Sequence, residues 1–298
     1  MEILRAIGPP VLAFLTVLVI EALTQRRGLL PPRFQIGDGS APWDVSIALG
    51  RRAFAAALLW LILWIGVFSP LGSLRIEQEI DFSLLSGLDL FALHLMLVVC
   101  VVIWFVAGFV PVEASSDRRR TSFSAQLGFR TDSVMREIGI GLLAGVAAWL
   151  AVIGVLLAVA LLIWWLGGEE LLPQQPPAMI PWIAGLPILL RVGISMSAGF
   201  VEEMFFRGYL QPRIGLAIST ALFVLAHASY EQPLMLVGVG LLSVIYGLLV
   251  RWRQNLWPAI AAHALFDAVQ LLLVIPAALR VLPEEGAAAT VLGILGLL

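Results

Sequence analysis

The chain has 298 residues, of which 60% are hydrophobic and 13% are charged, and its formal net charge is −2. Soluble domains are usually about 45–50% apolar and about 25% charged, so this composition excludes an ordinary soluble protein and indicates a membrane protein. The near-neutral charge by itself says nothing about a nucleic-acid partner, and we expect none for a membrane protein of this kind. The single cysteine, Cys100, excludes an internal disulfide framework.

Eight segments are long and apolar enough to be membrane spans. A helix needs about 20 apolar residues to cross the hydrocarbon core of a bilayer. We therefore predict an all-α fold, a polytopic membrane helix bundle with about eight transmembrane helices. No internal repeat or low-complexity linker interrupts the chain, which indicates a single membrane domain over residues 1–298. In chain order, the predicted spans are approximately 6–23, 53–74, 88–110, 138–166, 182–208, 214–230, 233–250 and 256–280.

The basic residues, all of them arginines, concentrate in alternate loops between these spans. Loops that stay in the cytoplasm carry the positive excess. The pattern therefore predicts cytoplasmic loops after the first, third, fifth and seventh spans, with both termini outside. The exclusive use of arginine is typical of a G+C-rich bacterial genome, so we predict a multi-pass protein of the bacterial cytoplasmic (inner) membrane. The arginines of these loops are Arg26, Arg27, Arg33, Arg51, Arg52, Arg118, Arg119, Arg120, Arg130, Arg136, Arg213, Arg251 and Arg253.

Most ionisable residues at membrane depth lie in the last four spans. Such residues are costly in a bilayer and usually mark a functional site. At a helical rise of about 1.5 Å per residue, four of them fall roughly 10–20 Å from the arginine-bearing ends of their helices. We therefore predict that they converge on one site. These four residues are Glu203, His227, His263 and Asp267.

Helical spacing predicts which of these side chains pair with each other and which can face a common ligand. Glu203 and Arg207 are four residues apart and therefore lie on one face, where we expect an ion pair that neutralises both charges. Glu202 points roughly 140° away from Arg207, so its carboxylate lacks that partner. Burial favours the protonated form of such a carboxylate and makes it a better proton acceptor, which suits general-base catalysis with His227. His263 is four residues from Asp267, so both can face one ligand.

Three motifs in this region resemble those of a known protease family. They are "EEMFFR" at 202–207, "FVLAH" at 223–227 and "HALFD" at 263–267. In type and order they are similar to the motifs of the CPBP intramembrane proteases, which include the CAAX prenyl endopeptidases. The resemblance covers about residues 138–280, a predicted catalytic core. Residues 1–137 would then be accessory N-terminal spans.

The resemblance implies an intramembrane endopeptidase of the glutamic type that hydrolyses a peptide bond of a membrane-associated protein or peptide. It implies that Glu202 and His227 activate water, while His263 and Asp267 stabilise the oxyanion. The third motif of the family ends in Asn or Asp. Asp267 is a poorer hydrogen-bond donor than Asn unless it is protonated. C-terminal membrane anchors and sorting tails are the expected substrates.

A zinc-dependent version of the same protease is the main chemical alternative. Two imidazoles and two carboxylates suit Zn²⁺, and Glu203, His227, His263 and Asp267 could supply them. The expected ion pair of Glu203 with Arg207 argues against this ligand set, and the chain has no HExxH motif. We therefore expect catalysis without a metal or other cofactor.

Two further classes of function remain open. A proton-coupled transporter could use the same carboxylates and imidazoles as a relay, although transporters often contain inverted repeats that are not visible here. A catalytically idle relative could serve as an immunity or scaffold protein, although all motif residues are present. Outside the motifs, His94 has no spaced partner and is expected to be a packing residue, as is Cys100. Arg191 is not assigned a role.

Overall fold

The structure is a computed structural model that describes residues 2–31, 34, 41–70, 86, 88–108, 123–172, 179–230 and 232–281. Within these ranges the chain is helical and contains no β-strand, which confirms the predicted all-α fold class. The predicted loop residues Arg33, Arg118, Arg119 and Arg120 lie outside the described residues.

Eleven α-helices make up the described fold, and three of them continue directly into π-helical turns. The π-helical segments are Leu63–Phe68 after α2, Glu203–Leu210 after α7 and Gln270–Val274 after α10. The α-helices are α1 (Glu2–Arg26), α2 (Pro42–Ile62), α3 (Asp89–Gly108), α4 (Phe123–Gln126), α5 (Val134–Trp165), α6 (Met179–Gly185), α7 (Ile188–Glu202), α8 (Gln211–Ala226), α9 (Pro233–Arg253), α10 (Trp257–Val269) and α11 (Ile275–Val281).

Six helical runs in the described part of the chain are long and apolar enough to cross a membrane. They are Ile7–Arg26, Pro42–Phe68, Val134–Trp165, Ile188–Ala226, Pro233–Arg253 and Trp257–Arg280. The predicted third span corresponds to a shorter apolar helix, Phe91–Val106. The predicted fifth and sixth spans together form the run Ile188–Ala226. The helical membrane bundle is therefore confirmed, whereas the predicted count of eight spans is not.

The run Ile188–Ala226 is not one straight helix, because the chain reverses at Gly215. This glycine has φ 85° and ψ 170°, a conformation that is essentially restricted to glycine. Beyond it, α8 folds back along the π-helical segment: Ser219 Oγ donates to the Phe206 carbonyl at 2.8 Å, and the Phe206 and Phe223 rings are 4.9 Å apart. Residues 216–226 therefore return about 16 Å toward the interior of the bundle.

Glycines allow α10 to approach its neighbours closely. A Cβ atom at Gly145 of α5 would lie 3.0 Å from Ala262 Cα, and one at Gly199 of α7 would lie 2.7 Å from the Ala264 nitrogen. Such distances leave no room for a side chain. Helix α10 is consequently held between α5 and α7, and all of its residues from 258 to 264 are buried.

The arginine-bearing ends of several helices lie together. Arg27 Nη1 donates to the Pro212 carbonyl at 2.9 Å, and Arg253 makes two hydrogen bonds to Glu137, of 2.6 and 3.0 Å. Helices α5 and α9 are therefore antiparallel, as expected from alternating spans. The assignment of this end to the cytoplasm rests on the arginine distribution.

Arg213, which the sequence places in a predicted cytoplasmic loop, lies inside the fold. Its side chain is buried, with 5% exposure, and its guanidinium carbon lies 4.3 Å from the ring centroids of both Trp104 and Tyr209. Stacking on aromatic faces stabilises a buried guanidinium. Arg213 thus joins α3 to the end of the π-helical segment.

Candidate active site

The first motif lies where α7 changes into π-helical turns. The α-helix ends at Glu202, and the π-helical segment begins at Glu203 and includes Arg207. Every residue from Glu203 to Leu210 is buried. π-Helical turns within α-helices occur frequently at functional sites, because they displace side chains from the regular helical faces.

Glu203 is completely buried and binds two partners through one oxygen. Arg207 Nη1 donates to Glu203 Oε1 at 2.8 Å, which is the ion pair expected from the four-residue spacing. His263 Nδ1 donates to the same oxygen, also at 2.8 Å. The second contact was not predicted as such, because the sequence indicated only that His263 shares a site with Glu203 and can face one ligand together with Asp267. Glu203 therefore connects the first motif to the third.

Glu202 lies between two imidazoles instead of beside Arg207. Its Oε1 atom is 3.4 Å from His94 Nε2, and its Oε2 atom is 3.9 Å from His227 Nε2. Oε2 is buried and has no hydrogen-bond partner within the described part of the chain. The distance of 3.9 Å is too long for a direct hydrogen bond and suits a shared water molecule.

His227 stands at the C-terminal end of α8, immediately after its last helical residue. Its Nδ1 atom donates to the Phe223 carbonyl at 2.8 Å, and the Phe223 ring packs 4.6 Å from the imidazole. The carbonyl accepts only, so Nδ1 carries a proton and Nε2 of the neutral ring is an acceptor. This acceptor faces Glu202, and the contact with Phe223 holds the ring there.

His263 and Asp267 lie close together on α10, as their spacing predicts. His263 Nε2 is 3.6 Å from Asp267 Oδ2. The Tyr246 ring stacks on His263 with a centroid distance of 5.2 Å and an interplanar angle of 23°. Because Nδ1 of His263 already donates to Glu203, a further proton on Nε2 or on the Asp267 carboxyl would supply a hydrogen-bond donor to a ligand.

His94 is the site residue that sequence reasoning missed. The expectation of a packing role without a nearby partner is wrong, since His94 Nε2 approaches Glu202 and His94 Nδ1 lies 2.8 Å from Ser197 Oγ. The only sequence signal was an ionisable residue at membrane depth on the third predicted span. No spacing rule connects α3 with α7, which follows it by 80 residues.

A cavity of about 340 Å³ joins these groups. Its polar wall includes His94, Glu202, His227, His263, Asp267 and Gln270, and most of its remaining surface is apolar. Glu203 and Arg207 are not among its lining residues and lie behind the polar wall. The apolar wall includes Leu97, Leu156, Ile183, Val239, Leu242 and Phe266.

Two other residues named from the sequence occupy supporting positions. Arg191 Nη1 donates to the Leu271 carbonyl at 3.0 Å, within the π-helical segment that follows α10. This bond connects α7 to the end of the helix that carries His263. Cys100 is a buried core residue with 1% exposure, as expected.

The arrangement of the possible metal ligands bears on the zinc-dependent alternative. Among the residues that the structure describes, no group of three or more His, Cys, Asp or Glu side chains is placed to hold a metal ion. The alternative zinc set of Glu203, His227, His263 and Asp267 includes one oxygen that already accepts from Arg207 and His263. These four residues therefore do not fit a zinc site in this arrangement.

Comparison with known proteins agrees with the resemblance drawn from the three motifs. Residues 184–269 match the family model for "Type II CAAX prenyl endopeptidase Rce1-like". This segment contains all three motifs, and the family resemblance is confirmed over these residues. The chain is also similar to an uncharacterized protein, YpbD, of Bacillus subtilis (strain 168), with 36% identity over 77 residues. That alignment covers 26% of this chain and 41% of the relative. No solved structure matches.

Proposed function

We propose that the chain is an intramembrane endopeptidase that hydrolyses a peptide bond of a membrane-associated protein or peptide. The observation that carries this proposal is the pairing of Glu202 Oε2 with His227 Nε2 across 3.9 Å at the wall of a cavity in the helix bundle. Both atoms are hydrogen-bond acceptors, so a water molecule between them can donate one hydrogen to each. Such a water is oriented for attack on a carbonyl carbon.

In the proposed reaction, Glu202 acts as the general base. It removes a proton from the water while the water oxygen forms a bond to the carbonyl carbon of the scissile peptide. The tetrahedral intermediate collapses, the carbon–nitrogen bond breaks, and the leaving amine takes the proton back from Glu202. His227 keeps the water in place through Nε2.

His263 and Asp267 are proposed to bind the oxyanion. Either His263 Nε2 or the Asp267 carboxyl, when it carries a proton, can donate a hydrogen bond to the developing negative charge, since the two lie 3.6 Å apart. Glu203 and Arg207 support this arrangement from behind the cavity, since Glu203 fixes His263 Nδ1 and Arg207 neutralises Glu203. These two residues therefore act through His263 and do not touch the substrate.

The apolar walls of the cavity favour a hydrophobic substrate segment that reaches the site from the lipid bilayer. C-terminal membrane anchors and sorting tails of membrane proteins have this character. We place the enzyme in a bacterial cytoplasmic membrane, with the arginine-rich loops in the cytoplasm and both termini outside.

The proposal is tested by complementation of cells that lack this chain. Membrane-protein termini are compared by mass spectrometry after expression of the wild type, Glu202→Gln or His227→Ala. We expect new termini with the wild type only, because each variant removes one of the two acceptors that orient the water. Identical termini with the wild type and Glu202→Gln would contradict the proposal.

Peptides that span the identified cleavage sites then serve as substrates for the purified protein in detergent. We expect hydrolysis to be unaffected by EDTA, because the proposed mechanism uses side chains only. Loss of hydrolysis with EDTA and recovery with Zn²⁺ would favour a metal-dependent enzyme. Proton flux into proteoliposomes without any cleavage would favour a transporter.

A further inference from the structure

The geometry points to His94 as a positioning residue that holds Glu202 for its reaction with water. This inference rests on the proposed function, in which Glu202 is the general base. His94 lies on α3, outside the segment 184–269 that matches the protease family model. Its role would therefore belong to the architecture of this chain and not to the three motifs.

The hydrogen bonds of His94 are consistent with one neutral tautomer. A carboxylate only accepts hydrogen bonds, so the contact of 3.4 Å between His94 Nε2 and Glu202 Oε1 requires the hydrogen on Nε2. Nδ1 of the neutral ring is then an acceptor. Ser197 Oγ, at 2.8 Å, donates its hydroxyl hydrogen to Nδ1 and selects this tautomer.

This bond distinguishes the two oxygens of Glu202. Oε1 accepts from His94, whereas Oε2 is directed toward His227 at 3.9 Å. Rotation of the carboxylate would break the bond to His94, so the reactive oxygen stays next to the position of the water. Positioning of this kind is valuable because a displacement of about 1 Å at a reacting group can reduce the rate about 100-fold.

The packing of α3 explains how His94 reaches Glu202. Helix α3 runs parallel to α7: a Cβ atom at Gly193 would lie 3.3 Å from the Phe91 ring near the beginning of both helices, and the Trp104 and Tyr209 rings are 5.1 Å apart farther along. His94 also lines the cavity, with only 11% of its side chain exposed. Helix α3 thus completes the polar wall opposite α8.

The test compares kcat and KM of purified variants on the identified peptide. We expect His94→Leu to lower kcat about 100-fold with little change in KM, since the base loses its orientation while the apolar walls stay intact. His94→Gln places an amide N–H near the position of Nε2, and we expect it to recover most of kcat. Ser197→Ala is expected to lower kcat less than His94→Leu does, and to have no further effect in the His94→Leu background.

Val101→Ala is the matched control on the same helix. Val101 has 0% exposure and does not line the cavity, so its truncation loosens the packing of α3 without touching Glu202. We expect a lower melting temperature and an unchanged kcat. An equal loss of kcat in Val101→Ala, a wild-type kcat in His94→Leu, or a failure of His94→Gln to recover activity would each overturn the inference.

Glu202→Gln separates this inference from the proposed function. Hydrolysis by Glu202→Gln would refute the proposed function and the inference with it. An inactive Glu202→Gln beside a fully active His94→Leu would refute the inference alone. If His94→Leu does not fold, the kcat values of His94→Gln and Ser197→Ala still test the inference. A wild-type kcat in Ser197→Ala would overturn the role of the hydrogen bond between Ser197 and His94.

Discussion

At the scale of single residues, two adjacent glutamates occupy opposite environments. Glu203 has no exposed surface and is held by Arg207 and His263. Glu202 lines the cavity, where it faces His94 and His227. One carboxylate therefore stabilises the site, and the other is accessible to a ligand.

This difference predicts opposite effects of two identical substitutions. Glu203→Gln leaves the Arg207 guanidinium buried without a counterion, which we expect to destabilise the protein by about 3–5 kcal/mol. Glu202→Gln leaves no unpaired arginine, and we expect its stability to be close to that of the wild type although hydrolysis is lost. Thermal unfolding in detergent measures the stability of both variants, and peptide hydrolysis measures their activity. Equal melting temperatures of the two variants would contradict this assignment.

At the scale of helices, the position of α10 determines the position of the two residues proposed to bind the oxyanion. His263 and Asp267 both belong to this helix, which packs closely against α5 and α7 through glycines. A Cβ atom at Gly141 of α5 would lie 2.7 Å from Ala261 Cβ and 2.8 Å from Pro258 Cα. The positions of α5 and α7 relative to α10 are thus fixed by contacts that leave no room for an additional atom at these glycines.

A pair of glycines on α5 tests this arrangement. In Gly141→Ala, the added methyl group pushes α10 away from α5, and we expect a lower melting temperature and reduced hydrolysis because His263 moves with the helix. Gly154→Ala is the control, since a Cβ atom at Gly154 has no neighbour within 4 Å and alanine favours a helix. We expect Gly154→Ala to be at least as stable as the wild type. Similar behaviour of both variants would show that the close packing has no effect on the site.

At the scale of the whole molecule, periodic patterns predicted the features that depend on one helix. The apolar segments predicted the membrane bundle, and the four-residue spacing predicted the pair Glu203–Arg207 and the proximity of His263 to Asp267. These relations follow from helical geometry alone.

Relations between helices that are distant in sequence were not predictable in the same way. The contacts His94–Glu202 and Glu203–His263 depend on how α3, α7 and α10 pack, and no spacing within one helix encodes them. The burial of Arg213 is a similar case, because its position in a predicted loop does not reveal that Trp104 and Tyr209 stack on it.

The N-terminal helices share one core with the region that carries the motifs. Buried residues of α1, α2 and α3 belong to the same apolar cluster as residues of α7, of the π-helical segment after it and of α8; they include Ala13, Val17, Leu59, Val101, Val201, Phe205, Leu210 and Leu222. Arg27 bonds to Pro212, and Trp104 covers Arg213. The division into a catalytic core and accessory spans therefore does not correspond to a separation in packing.

This shared core predicts the outcome of a truncation. A fragment that begins at residue 123 retains the segment 184–269 and all three motifs but loses α1, α2 and α3. We expect it to be inactive and easily degraded in the membrane, because the buried Arg213 loses the Trp104 ring and Glu202 loses its contact with His94. Co-expression of residues 1–122 as a separate chain should restore hydrolysis, since helices can associate within the bilayer without a covalent connection. Wild-type hydrolysis by the fragment alone would show that the motif region is an independent enzyme and that α3 has no part in the site.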